Sequence, residues 1–113
     1  MPVYHTTDLA GVSELNPDTR QMREVLAQLD GPEAKEADHP DVSLMEHGSG
    51  WAITAYASGV VTLENFEATD RVPKHIKSAT RRDVLEMWLE LSRGEIRRVL
   101  ARPWVSPEDG REP

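Results

Sequence analysis

The sequence contains no cysteine among its 113 residues, which excludes disulfide bonds and thiolate metal sites. A chain without cysteine fits a reducing compartment, so we expect a cytoplasmic protein. No apolar run approaches the ~18 residues that a membrane span needs, and the N-terminus has no basic stretch followed by an apolar one. We therefore expect neither a membrane partner nor a signal peptide.

Aromatic residues are scarce, with three tryptophans, two tyrosines and one phenylalanine. Each such side chain buries a large area, so it is expected at a packing or contact position. We assign Trp51 and Trp88 to the core between a sheet and the C-terminal helix. Trp104 follows a proline that ends a helix. It either plugs the edge of the core, which we favour because a tryptophan buries a large area, or makes an exposed contact.

Composition and length predict one small globular domain, because 38% of residues are hydrophobic and 29% are charged. We place this domain at residues 1–105 and a frayed acidic tail at 106–113. The net charge of −7 is unevenly distributed. Residues 1–70 hold thirteen acids and three bases, whereas residues 71–102 hold nine bases and four acids. Such polarity suits internal attraction or a charged partner.

Residues 42–66 alternate in polarity and read as a three-stranded antiparallel meander. Gly48-Ser49 predicts a two-residue type II′ turn, and Ala57-Ser58-Gly59 predicts a three-residue loop with Gly59 in the left-handed conformation. These turns place Leu44 opposite Ile53. With that register, one face carries all the core residues predicted for the meander, namely Val42, Leu44, Trp51, Ile53, Ala55, Val61 and Leu63.

Helical periodicity appears on both sides of this meander. Met22, Val25, Leu26 and Leu29 form one face of a helix over about 17–30, with Asn16 as its N-cap. Residues 31–41 read as a surface loop, and residues 72–77 as a short edge strand because Pro73 cannot donate a hydrogen bond.

A capping box at Thr80 and Asp83 starts a helix over about 81–92, and a short helix follows over 95–101. The predicted fold class is therefore α+β. It consists of a three- to four-stranded antiparallel meander with an N-terminal helix and a C-terminal helix pair packed on one face.

No motif predicts a catalytic, metal or cofactor site. The histidines His5, His39, His47 and His75 lack the spacing of metal ligands. No serine lies in a G-x-S-x-G turn, and no glycine-rich loop precedes a helix. We expect a protein that is not an enzyme.

The predicted function is binding of another protein, in an immunity-, antitoxin- or adaptor-like role. The second face of the meander is more apolar than water favours, so we also expect self-association as a homodimer. The candidate interaction surface consists of Met45, Tyr56, Val60 and Trp104.

Two alternatives remain open. The basic segment 71–102 could serve a nucleic-acid-associated regulator, with Arg81, Arg82, Arg97 and Arg98 as contacts. Against this reading, the chain as a whole is acidic. A small-molecule or catalytic site could also lie in a cleft between the sheet and the helices.

Overall fold

The computed structural model describes residues 2–38, 40–68 and 72–106, and its centre is a six-stranded antiparallel sheet. The strands are β1 Tyr4–Thr7, β2 Ser13–Leu15, β3 Asp41–Glu46, β4 Trp51–Tyr56, β5 Val61–Asn65 and β6 Lys74–Ile76. They lie in the order β2-β1-β3-β4-β5-β6. The α+β class is confirmed, whereas the prediction of three to four strands was too low.

The helices pack on one face of this sheet. They are α1 Thr19–Ala27, continued by a 3-10 turn at Gln28–Asp30, then α2 Pro32–Glu36, α3 Arg81–Ser92 and α4 Ile96–Leu100. Helix α3 crosses β3 and β4, and α1 lies beside α3. No described helix is long and apolar enough to cross a membrane.

The core lies between the sheet and helices α1, α3 and α4. Its largest side chain is Trp88, which is 0% exposed and donates from Nε1 to the Ile53 carbonyl at 3.1 Å. Trp51 is half-buried against this core. The buried cluster comprises Met22, Leu26, Leu29, Val42, Leu44, Ile53, Ala55, Val61, Leu63, Val84, Met87, Trp88, Leu91 and Val99.

The predicted meander is confirmed in register. Leu44 lies opposite Ile53, and Ile53 lies opposite Leu63. Gly59 has φ +99°, as its loop requires. The type II′ turn was wrong: Gly50, not Gly48, has a positive φ of +77°, and its amide donates to the Glu46 carbonyl. The loop therefore has four residues, which preserves the same pairing.

Strands β1 and β2 were missed by the sequence reasoning. The core-facing side chains of these strands include Thr6 and Glu14, which pair with each other across the strands. Neither is apolar, so no alternation of hydrophobic and polar residues marks the strands. Thr6 also pairs with Leu44, and this pairing joins the N-terminus to the meander.

The start of α1 and the 31–41 loop also differ from prediction. Asp18, not Asn16, is the N-cap, and its side chain forms a capping box with Gln21. Asn16 instead adopts a positive φ of 49° and accepts from the Tyr4 amide, which closes the turn from β2. Within 31–41, residues Pro32–Glu36 form α2, since Pro fits the first turn of a helix.

The C-terminal elements match prediction. Thr80 and Asp83 form the capping box of α3, and β6 is the last named strand of the sheet. Val105 adds an isolated bridge to His75 beyond β6. The predicted tail lies outside the described residues except for Ser106, and so does His39.

Candidate interaction surface

The face of the sheet opposite the helices, here called the outer face, carries a row of small polar side chains. Side chains alternate between the two faces along a strand. Each cross-strand pair of residues that faces the core is therefore followed by a cross-strand pair that faces outward. The pairing aligns one residue from every strand across the sheet. This central row is Ser13, Thr7, Ser43, Thr54, Thr62 and His75. Helices α1, α3 and α4 lie on the other side and leave it uncovered.

Rows of mixed apolar and polar side chains flank the central row. One flanking row consists of Leu15, His5, Met45, Ala52 and Glu64. On the other side of the central row, Tyr56 pairs with Asp41. Two predicted surface residues, Met45 and Tyr56, are thus on the outer face, and Val60 lies at its rim. All three are half-buried.

Trp104 lies on the helical side of the sheet, away from the other three predicted surface residues. Its indole is half-buried against the core, and Nε1 donates to the Val99 carbonyl at 2.7 Å. With Trp51 and Lys74 it lines a groove of about 490 Å³. Alternation within strands could not place this residue, because it follows the helices.

The charge of the outer face is acidic. Strands β1 to β5 contain no lysine or arginine. The carboxylates of the face, Asp41 on β3 and Glu64 on β5, lie on opposite sides of the central row. The histidines of the face are His5, His47 and His75. A partner that covers this face therefore meets no fixed positive charge from these strands.

His5 and His47 form a pair at one end of the outer face. His5 Nδ1 lies 2.8 Å from His47 Nε2, and the ring centroids are 5.0 Å apart. One nitrogen must donate and the other accept, so both rings cannot be charged while this bond exists. Burial, and secondarily the charge of His47, lowers the pKa of His5 below its ordinary 6.5.

Because of this pair, we expect the free energy of unfolding to fall as the pH drops just below 6.5. In that window the unfolded chain binds a proton at His5 more readily than the folded chain, so the free energy of unfolding falls as pH falls. We expect H5Q to lose less stability than the wild type between about pH 7.5 and about pH 5.5. Urea unfolding at both pH values measures this. An equal loss in both proteins would contradict the prediction.

The described residues contain no group of three or more histidine, aspartate or glutamate side chains that could hold a metal ion. Comparison with family models, curated proteins and solved structures found no match. The candidate surface therefore rests on the geometry and chemistry of this chain.

The four arginines proposed as nucleic-acid contacts are divided by the fold. Arg81 is held by Asp30 at 3.1 Å and by the Ala57 carbonyl at 3.0 Å, and both bonds tie α3 to neighbouring loops. Arg82 is exposed beside it, at the start of α3. Arg97 and Arg98 are exposed on α4, which follows the C-terminal end of α3. Helix α3 has 12 residues and is about 18 Å long, so it separates these two arginines from Arg81 and Arg82 at its start.

Two buried polar residues, which the sequence reasoning missed, organise the loops at one end of the sheet. Glu46 is 5% exposed and accepts from the Gly48 and Ser49 amides at 2.7 and 2.9 Å. Burial raises the pKa of Glu46, but the hydrogen bonds from Ser49 and Gly48 outweigh it and hold the pKa below its usual value. Asn65 donates to the Ser49 carbonyl at 3.0 Å.

Gly50 is the position in these loops that tolerates a side chain least. It has φ +77°, and an added Cβ would lie 2.7 Å from Cγ of Glu67. We expect G50A to lower the free energy of unfolding by about 3 kcal/mol, from left-handed strain and overpacking together.

The matched control is G11A, because Gly11 has φ +84° with nothing within 4 Å of its Cβ position. In G11A the added methyl group meets no neighbour, so only the backbone strain should lower the free energy of unfolding, by about 1 kcal/mol. Chemical denaturation of both variants measures the difference, and equal losses would show that the Glu67 contact has no cost.

Proposed function

We propose that this chain is a non-enzymatic protein-binding domain whose outer face docks a basic partner protein, in an immunity-, antitoxin- or adaptor-like role. The observation that carries the proposal is the uncovered outer face, on which a row of five serine and threonine side chains and His75 crosses every strand. Short hydroxyl and apolar groups let a partner approach the sheet closely.

The composition of this face favours an interface over a simply solvated face. Antiparallel sheets often leave one face in water, and such faces usually carry long charged side chains. Here the central row has none: Thr54 lies between Ser43 and Thr62, and the charged residues Asp41 and Glu64 stand in the rows beside it. Met45 and Tyr56 in those rows are half-buried. Charged residues are depleted, and methionine and tyrosine enriched, at the centres of protein interfaces.

Charge favours a basic partner. The outer face carries the carboxylates of Asp41 and Glu64, and strands β1 to β5 contribute no lysine or arginine to it. Opposite charges steer association and reject wrong partners, so a cationic surface is the complementary one. The same acidity disfavours a homodimer built through two outer faces, although self-association stays a prediction of the sequence.

The non-enzymatic part of the proposal rests on how the polar side chains are used. Glu46 and Asn65 are engaged in fixing loops, and the Ser49 hydroxyl accepts from the Trp51 amide at 3.3 Å. Residues held in this way stabilise turns and are poorly placed to contact a substrate. The groove lined by Trp51 and Trp104 is where a small-molecule or catalytic alternative would act.

A capture experiment with a matched pair of variants tests the proposal. T54R places a long cation at the centre of the outer face, and A27R adds the same charge at the exposed end of α1. We expect a basic protein from the native host to be retained by the wild type and by A27R but not by T54R. Retention by T54R, or retention of no protein by the wild type, would overturn the proposal.

A further inference from the structure

The histidine pair at one end of the outer face brings two metal-ligating nitrogens together. His5 lies on β1 and His47 directly follows β3, 42 residues later in the sequence, so no local spacing of residues indicates the pair. The sheet fixes both backbone positions, because His5 lies opposite Met45 and the His47 amide donates to the Val3 carbonyl at 2.8 Å. The two rings are therefore diagonal neighbours on adjacent strands.

Both rings can present a lone pair to the same point. The contact between His5 Nδ1 and His47 Nε2 is the only hydrogen bond that either ring makes with the described residues. The other nitrogen of each ring is therefore available to carry the imidazole proton. His47 is exposed and His5 is half-buried, so the ring that donates can exchange its proton through water. After that change of tautomer, both facing nitrogens are acceptors.

The separation of the rings suits a shared metal ion. A bond from an imidazole nitrogen to a metal is about 2.0–2.1 Å long. With the ring centroids 5.0 Å apart, as they are here, two such bonds meet at about 100°, between the square and the tetrahedral angle. Each ring would turn by about 30° from its hydrogen-bonded orientation, and the broad χ2 torsion of histidine permits this. The backbone needs no movement.

The surroundings of the pair favour a soft cation. Strands β1 to β5 contain no lysine or arginine that would repel one. The carboxylate of Glu46, next to His47 in the chain, interacts electrostatically with the His47 ring. Met45 lies on the same face, opposite His5 and two residues before His47. Its thioether is a soft donor on a flexible side chain, and such donors suit copper better than zinc.

We propose that His5 and His47 chelate a divalent transition-metal ion and that they bind Cu²⁺ more tightly than Zn²⁺. The two imidazole nitrogens occupy two coordination positions, and water fills the others. Divalent copper stands at the maximum of the Irving–Williams order, so a site made of imidazole nitrogens binds it most tightly. This inference goes beyond the proposed function, because metal binding requires no partner protein.

Titration of the untagged full chain with CuCl₂ tests the proposal. We expect isothermal titration calorimetry to show one site per chain with a Kd in the micromolar range or below. Zn²⁺ should bind at least about tenfold more weakly. No saturable copper binding, or tighter binding of Zn²⁺ than of Cu²⁺, would overturn the proposal.

Histidine variants separate the chelate from scattered binding. H5Q and H47Q each remove one ligand and should weaken Cu²⁺ binding at least about 30-fold. H75Q is the matched control, because His75 lies on β6, towards the other side of the same sheet, and its loss should change affinity less than twofold. If H47Q binds copper as the wild type does, or if H75Q loses as much as H5Q, the protein holds an adventitious ion only and the assignment is wrong.

Electron paramagnetic resonance of the wild type is a readout that needs no variant. The copper signal should show coupling to two imidazole nitrogens, whereas coupling to one nitrogen or to none would contradict the chelate. The capture experiment and the acid unfolding are carried out in EDTA, so they report on the metal-free protein. Failure of the copper titration therefore leaves the proposed function intact, and failure of the capture experiment leaves the metal site intact.

Discussion

Replacing Trp88 with alanine should lower the free energy of unfolding by about 4 kcal/mol, the largest single effect that we expect on stability. Trp88 is 0% exposed, and it is the largest fully buried side chain described. Its removal leaves a cavity between α3 and the sheet. The Ile53 carbonyl also loses the hydrogen bond that the indole Nε1 donates to it. Chemical denaturation followed by circular dichroism measures the loss.

Two further variants keep this prediction testable if W88A does not fold. W88F retains most of the apolar contact and loses the hydrogen bond, so it should fold with a loss of about 2 kcal/mol. W104A is the matched control, because Trp104 is half-buried at the core edge and should cost less than Trp88. A W88F variant as stable as the wild type, or a loss in W104A as large as that in W88A, would mean that the core is not centred on Trp88.

The second large effect concerns binding, where T54R should weaken the purified complex by at least about 100-fold, or about 2.7 kcal/mol. Residues at the centre of an interface contribute most of its energy, and Thr54 lies on a central strand in the middle of the central row. The new guanidinium would hold the partner away from the sheet and oppose its positive charge. Isothermal titration calorimetry measures the change.

Two controls accompany T54R. A27R carries the same added charge on the helical side and should bind within about threefold of the wild type. The unfolding free energies of T54R and the wild type should agree within about 1 kcal/mol, because residue 54 is half-buried on a face that no helix covers. Equal weakening by both variants would indicate a general charge effect and not an interface at the outer face.

Sequence patterns located the elements whose core faces are apolar. The pairing of Leu44, Ile53 and Leu63 followed from alternation and turn length. The turn type predicted at Gly48 was wrong, but the strand register stayed the same because the four-residue loop replaces a two-residue loop symmetrically. Strands β1 and β2 could not be found in this way, since Thr6 and Glu14 occupy their core-facing positions. Their pairing is determined by tertiary contacts with β3.

The candidate surface also combines residues that alternation within strands could place with residues that depend on tertiary contacts. Alternation placed Met45 and Tyr56 on one face, whereas Trp104 lies outside any strand, where alternation does not apply. Its place against the core edge was expected only from the large area that a tryptophan buries. The central row extends across strands that the sequence did not reveal, so its length was not predictable.

Oxidative footprinting of Met45 in the purified complex tests the interface most directly. We expect hydroxyl radicals to oxidise Met45 and Tyr56 in the free protein, and we expect the partner to slow both reactions at least about fivefold. Met87 is 2% exposed in the core and should react slowly in both states. Unchanged oxidation of Met45 and Tyr56 in a complex that has formed would contradict docking on the outer face.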